Sequence, residues 1–204
     1  MKKLLLSFTA IAIIVSMATS CKQTSTQIQD EVVRPSDHVS TLVGSLSTFA
    51  LSTGNTYPAT AVPWGMNFWT PQTGKMGDGW TYNYAAHKIR GITQTHQPSP
   101  WINDYGQFSI MPVKGRNNID QDARSSSFSH KAEVAKPYYY RVYLGDHDGV
   151  AELAPTDRAA IMRFTFSESN ENAIVVDAFD KGSFIKVIPE KNTVVGYTTR
   201  NSGG

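Results

Sequence analysis

A single cysteine, Cys21, stands in the 204 residues. One thiol excludes a disulfide framework and any zinc site built from several cysteines. Runs of one charge sign are also absent. The chain has 19 Lys+Arg against 17 Asp+Glu, and Lys2 and Lys3 lie in the leader described below, which leaves 17 against 17. A neutral chain without basic blocks has no electrostatic footprint for nucleic acid, which is excluded as a partner. Beyond the first 20 residues no apolar run is long enough to cross a bilayer. Gly-x-Ser-x-Gly, P-loop, His-Glu-x-x-His and dinucleotide-binding signatures are all missing. Helical periodicity is missing too: from Val39 on, no segment sustains it for three turns. What the chain does have is 40% hydrophobic residues and 11% aromatics, enough for one packed domain.

The amino terminus reads as an export signal. Lys2 and Lys3 form a positive start, residues 4–18 are apolar but short, and Ala18, Thr19 and Ser20 precede Cys21. Residues 1–20 resemble a bacterial lipoprotein signal, in which the cysteine becomes the lipidated first residue. An ordinary cleaved signal is the alternative. Acyl chains on Cys21 would hold the protein at a membrane, at roughly 0.8 kcal/mol per buried CH2. Residues 21–37 are polar and read as a flexible tether. The expected location is the cell envelope of a bacterium, lipid-anchored in the periplasm or on the outer-membrane surface.

Residues 38–204 read as an all-β domain, a β-sandwich. Strand-length runs rich in β-branched and aromatic residues occupy 108–112, 138–144, 159–166, 173–178, 183–188 and 193–197, each bounded by turn residues. Gly145-Asp-His-Asp-Gly149 reads as a connecting loop rather than a metal site, because it lacks calcium-loop spacing. The polar stretch 198–204 follows a strand with no closing element, so the domain is expected to be incomplete at its carboxyl end.

Residues 51–112 differ from ordinary sandwich sequence. They hold all four tryptophans (Trp64, Trp69, Trp80 and Trp101), with six prolines and seven glycines. Long loops in a compact domain usually bind something. Aromatic rings beside His, Asn, Gln and Asp suit carbohydrate, whose C–H face stacks on a ring while its hydroxyls need fixed donors and acceptors. Trp80, His96, Trp101 and Asp104 are the candidates. Trp64 and Trp69 lie in an apolar context, Val62-Pro-Trp-Gly-Met-Asn-Phe-Trp69, and are expected in the core. Tyr82 and Tyr84 alternate as strand residues do. The remaining histidines (His38, His87, His130 and His147) are scattered.

Two stretches carry a family resemblance. Residues 54–66, Gly-Asn-Thr-Tyr-Pro-Ala-Thr-Ala-Val-Pro-Trp-Gly-Met, and residues 89–112, containing Gly91-Ile-Thr-Gln-Thr-His96, Asp104-Tyr-Gly106 and Met111-Pro112, resemble the amino-terminal domain of glycoside hydrolase family 92, secreted bacterial α-mannosidases. The resemblance implies a two-domain, calcium-dependent, inverting enzyme. Its second domain, an (α/α)6 barrel, would hold the catalytic carboxylates and most of the calcium site. One raised-pKa acid would protonate the leaving oxygen, and a base roughly 6.5–9.5 Å away would activate water. No catalytic residue is therefore assigned to this chain. His96, Trp101 and Asp104, with Trp80 less firmly, would be the sandwich's share of the mannoside pocket. Residues 97–101 differ from the family's usual Leu-Ser-Gly sequence, which leaves the mannosidic linkage open. A carbohydrate-binding module and a surface interaction domain are the alternative functions.

Overall fold

The structure is a computed structural model. It describes residues 34–48, 50–54, 56–76, 81–95, 108–178 and 182–198, and every structural statement below concerns those residues. The chain turns strand-forming sequence into twelve strands: β1 (Phe68–Gln72), β2 (Lys88–Ile89), β3 (Gly91–Thr95), β4 (Phe108–Lys114), β5 (Ser126–Ser127), β6 (Val134–Lys136), β7 (Tyr139–Leu144), β8 (Gly149–Pro155), β9 (Ala160–Phe166), β10 (Asn172–Ala178), β11 (Ser183–Ile188) and β12 (Thr193–Thr198). The described residues contain no α-helix, only short 3-10 turns such as Pro35–His38 and Pro189–Lys191. All six strands expected from the sequence are present. The expected all-β sandwich is the observed fold.

Two four-stranded antiparallel sheets carry the domain. Sheet I runs β1-β3-β4-β10 and sheet II runs β6-β7-β8-β9. Period-two alternation builds the core: β7 and β8 bury every second residue. Trp69, Ile92, Met111 and Val113 of sheet I form one buried cluster with Tyr140, Val142, Leu144, Ala151 and Leu153 of sheet II. At roughly 1.5–3 kcal/mol per fully buried large side chain, this cluster is the main source of stability.

Polar ties fix the sheets to their loops. The Arg124 guanidinium is buried, donates to the Arg90 and Ile119 carbonyls, and pairs with Asp177 at 2.6 Å. His147 is also buried. Its Nδ1 accepts from the Lys114 N–H and its Nε2 donates to the Arg124 carbonyl. The Gly145–Gly149 loop is thus a β7–β8 turn, as the sequence indicated. Asp146 caps Ser127, and Asp148 accepts from the Tyr143 hydroxyl. Ahead of β1 the chain crosses itself at two left-handed glycines, Gly44 (φ +83°) and Gly54 (φ +140°). A Cβ on Gly54 would sit 2.8 Å from the Gly44 Cα. Residues 34–37, at the end of the stretch expected to be tether, are joined to the domain: Tyr138 donates to Asp37, and the Arg34 guanidinium lies 4.8 Å over the Tyr138 ring.

Candidate functional site

His96, Trp101 and Asp104 belong to the β3–β4 connection, residues 96–107, and lie outside the described residues, as do Trp80 and Cys21. The frame from which that connection springs is described. β3 ends at Thr95 and β4 begins at Phe108, and the Thr93 hydroxyl donates to the Phe108 carbonyl at 2.8 Å. β1 lies along β3 with Phe68 opposite Thr95. The buried Tyr57 hydroxyl donates to Thr95 Oγ1 at 3.3 Å. The Trp69 indole meets the Phe108 ring edge-on, centroids 5.8 Å apart. The two motif stretches are therefore neighbours, joined through Tyr57 and Thr95. Trp69 is buried, as expected.

Trp64 is not in the core: it is 100% exposed. The correction has a local cause. Val62-Pro63-Trp64-Gly65 closes a turn with the Gly65 N–H donating to the Val62 carbonyl at 3.0 Å. Pro63 occupies the second turn position, where its fixed φ fits. Trp64 follows with φ +62°, a conformation usually left to Gly or Asn. The turn is anchored on both sides. The Met66 N–H donates to the Asp157 carbonyl at 2.7 Å, and Asn67 Nδ2 donates to the Thr156 carbonyl at 3.1 Å. Strain held at a rigid turn under a solvent-facing indole is the kind of backbone outlier found at binding sites. The sequence signal of the turn is Pro63-Trp64-Gly65, set among apolar neighbours.

Tyr82 and Tyr84 do not lie in a strand. Tyr82 is buried and its hydroxyl faces Glu133 at 3.4 Å, whereas Tyr84 is partly exposed. The Glu133 side chain has no exposed surface. It accepts from the Tyr140 hydroxyl at 2.7 Å and bonds His130 Nδ1 at 2.6 Å. His130 Nε2 donates to the Tyr84 carbonyl at 2.8 Å, and the Tyr84 ring stacks on His130 at 3.9 Å. Burial, then the Glu133 charge, raises both tyrosine pKa values, so the two phenols stay protonated donors. This cluster fixes residues 81–84, which directly follow the segment containing Trp80. The Thr73 N–H closes that segment on the Thr81 carbonyl at 2.8 Å, at the Gln72–Gly91 end of β1 and β3. Thr95 and Phe68 mark the other end, about 13 Å away at roughly 3.3 Å per residue. The described flanks of Trp80 and of residues 96–107 thus lie one strand length apart.

Among the described residues, no group of three or more His, Cys, Asp or Glu side chains could hold a metal ion.

Comparison with known proteins decides the family. The family described as glycosyl hydrolase family 92 N-terminal domain matches residues 38–204. This chain belongs to glycoside hydrolase family 92. Among solved structures, the family GH92 inverting mannosidase BT2199 from Bacteroides thetaiotaomicron is 51% identical over 81% of this chain, with a TM-score of 0.76. The GH92 α-mannosidase BT3965 from the same organism, in complex with mannoimidazole, is 29% identical over 70% of this chain, with a TM-score of 0.62. The chain spans only 22% and 19% of the lengths of those two relatives. No protein with a curated function matches. The family 92 domain seen here is thus an amino-terminal sandwich domain of a glycosidase family.

Proposed function

We propose that this chain is the amino-terminal sandwich of a secreted, calcium-dependent, inverting exo-α-mannosidase acting on mannose-containing glycans. The observation that carries the reading is 51% identity to an inverting family 92 mannosidase over 81% of the chain. The adjacency of its two motif stretches at Tyr57 and Thr95 supports it. In this reading the β3–β4 connection enters the pocket. Trp101 stacks on a mannose ring, and His96 and Asp104 bond hydroxyls or orient a neighbour. Trp80 contributes a further contact. The acid and base come from the partner (α/α)6 barrel of the family, and this chain positions the sugar between them. Most of the calcium site belongs to that barrel too. Cys21 carries a lipid, and the residues between it and Arg34 tether the domain to the cell envelope.

The second reading is a non-catalytic carbohydrate-binding or surface interaction domain of a lipoprotein. The fully exposed Trp64 favours it, because a ring on a rigid turn is a ready stacking platform.

The test uses this chain joined to the remainder of the BT2199 polypeptide. Trp101→Ala is expected to lower kcat/KM on an α-mannoside about two- to tenfold, the ~0.5–1.5 kcal/mol of a stacked ring. His96→Ala and Asp104→Ala should act similarly. Unchanged kinetics in all three would remove the β3–β4 connection from the pocket. Mannan retention by the unjoined chain that is lost in Trp64→Ala would favour the second reading.

A further inference from the structure

His130 and His147 face different kinds of partner. The His147 ring meets one donor and one acceptor: its Nδ1 accepts from the Lys114 N–H and its Nε2 donates to the Arg124 carbonyl. A neutral imidazole, with one N–H and one lone pair, satisfies both. His130 meets two acceptors. Its Nδ1 lies 2.6 Å from Glu133 Oε2, and its Nε2 lies 2.8 Å from the Tyr84 carbonyl oxygen. Neither a carbonyl nor a carboxylate has a proton to give. A neutral His130 ring would set a lone pair against an oxygen at one of the two contacts, whichever tautomer it took. Both bonds form only when the His130–Glu133 pair holds one proton more than a neutral imidazole beside a carboxylate.

The surroundings put that proton on the ring. Glu133 Oε1 accepts from the Tyr140 hydroxyl at 2.7 Å, and the Tyr82 hydroxyl faces Oε2 at 3.4 Å. Donors aimed at a carboxyl group favour its ionised form. The Glu133 side chain has no exposed surface, so a neutral neighbour would leave a buried charge without its counter-ion. The Tyr84 ring lies flat on His130, centroids 3.9 Å apart and planes 8° apart, and a cation over an aromatic face is favoured. The Phe128 ring meets His130 at 84°, centroids 5.1 Å apart. The titratable groups bonded to or stacked on the pair are thus Tyr82 and Tyr84 from residues 81–84 and Tyr140 from β7. Lys131, next along the chain, is exposed. The His130 side chain keeps 24% of its surface open, which gives its proton a route to solvent.

We propose that the His130–Glu133 pair is a proton-dependent clamp on residues 81–84. The charged ring bridges a carboxylate fixed by Tyr140 of β7 to the carbonyl of Tyr84. Loss of the ring proton breaks one of the two bonds and strands the buried carboxylate. The clamped state binds a proton that the released state does not, so rising pH favours release. The far side of the segment is held by neutral bonds that pH leaves alone: the Asn83 N–H donates to Thr73 Oγ1 at 2.8 Å and the Tyr84 N–H to the Ser45 carbonyl at 3.0 Å. Release therefore loosens residues 81–84 without unfolding the sheets. The proposal goes beyond the mannosidase reading and does not depend on it.

Long-range proton–nitrogen NMR spectra of the chain carrying 15N-histidine count the N–H groups on each ring, from about pH 5 to about pH 9. The His130 signals are assigned through their contact with the Tyr84 ring. His130 should show two N–H groups wherever the Asn83 and Tyr84 amides are protected, and His147 one, on Nε2. The step at which His130 loses a proton should speed hydrogen exchange of those two amides at least tenfold beyond the intrinsic rise with hydroxide. His130→Gln, which does not titrate, should abolish that step. A His130 ring with a single N–H while both amides stay protected overturns the proposal. So does a ring that titrates with no change in their exchange, and so does a step of the same size in His130→Gln. The wild-type spectra decide the matter even if that variant does not fold.

Discussion

Replacing Trp64 with glycine should stabilise this domain, although it deletes a whole indole. The indole is 100% exposed, so its removal forfeits no buried area. The backbone sits at φ +62°, where a side chain costs roughly 1–2 kcal/mol that glycine does not incur. Glycine gives back about 0.5–1 kcal/mol through the greater entropy of its unfolded chain. The net gain is about 0.5–1 kcal/mol, or roughly 1–4 °C in Tm for a domain of this size. Thermal melts by circular dichroism, paired with urea titrations, measure it. Trp69→Ala is the control. That ring is buried and its Nε1 donates to Asn67, so its loss should cost about 3–5 kcal/mol. Destabilisation by Trp64→Gly of 1 kcal/mol or more would refute the reasoning, because the indole would then be packing against the fold.

The Glu133 cluster should be intolerant. Glu133→Gln leaves a neutral amide among donors aimed at a buried carboxylate, and urea unfolding should register a loss of about 3 kcal/mol. Tyr57→Phe removes the bond to Thr95 and should cost about 1 kcal/mol in the same assay. Glu152 is held at about 2 rather than 4.5, first by Arg163 and then by Tyr139. Asp37 is held at about 2 rather than 3.8, first by Tyr138 and then by Arg34. Both folded values lie below the unfolded ones, so the unfolded chain binds more protons between them. Stability should be fully present above pH 4.5 and fall as pH drops towards 2, with a flatter slope in Glu152→Gln. A slope unchanged by that variant would count against the Arg163 pairing.

Much of the fold could be read from residues close in sequence. Runs such as Ile174-Val-Val176 and Tyr138-Tyr-Tyr140 carry enough β-branched and aromatic bulk to announce a strand. β8 is not legible in the sequence because Ala151, Glu152, Ala154 and Pro155 have poor strand propensity, although its core partners bury it in alternation. β1 and β3 are hard to read because each is five residues long and interrupted by Pro71 or opened by Gly91. The exposure of Trp64 is not legible in the sequence, because composition reports a neighbourhood, whereas the direction of a side chain on a turn depends on one backbone angle. The Glu133 cluster had no sequence signal. Tyr82 lies 51 residues from Glu133 along the chain, and the two meet only once the domain has folded. The contact between the two motif stretches was foreshadowed by the family resemblance and not by local pattern.

The most direct measurement is proton NMR of the product anomer released from an α-mannoside, taken for this chain alone and for the chain joined to the remainder of BT2199. The joined protein should release β-mannose first, as inversion requires, and the chain alone should release none. Mannose from the chain alone, or α-mannose as the first product of the joined protein, would contradict the assignment of a pocket-forming sandwich that works with a separate catalytic barrel.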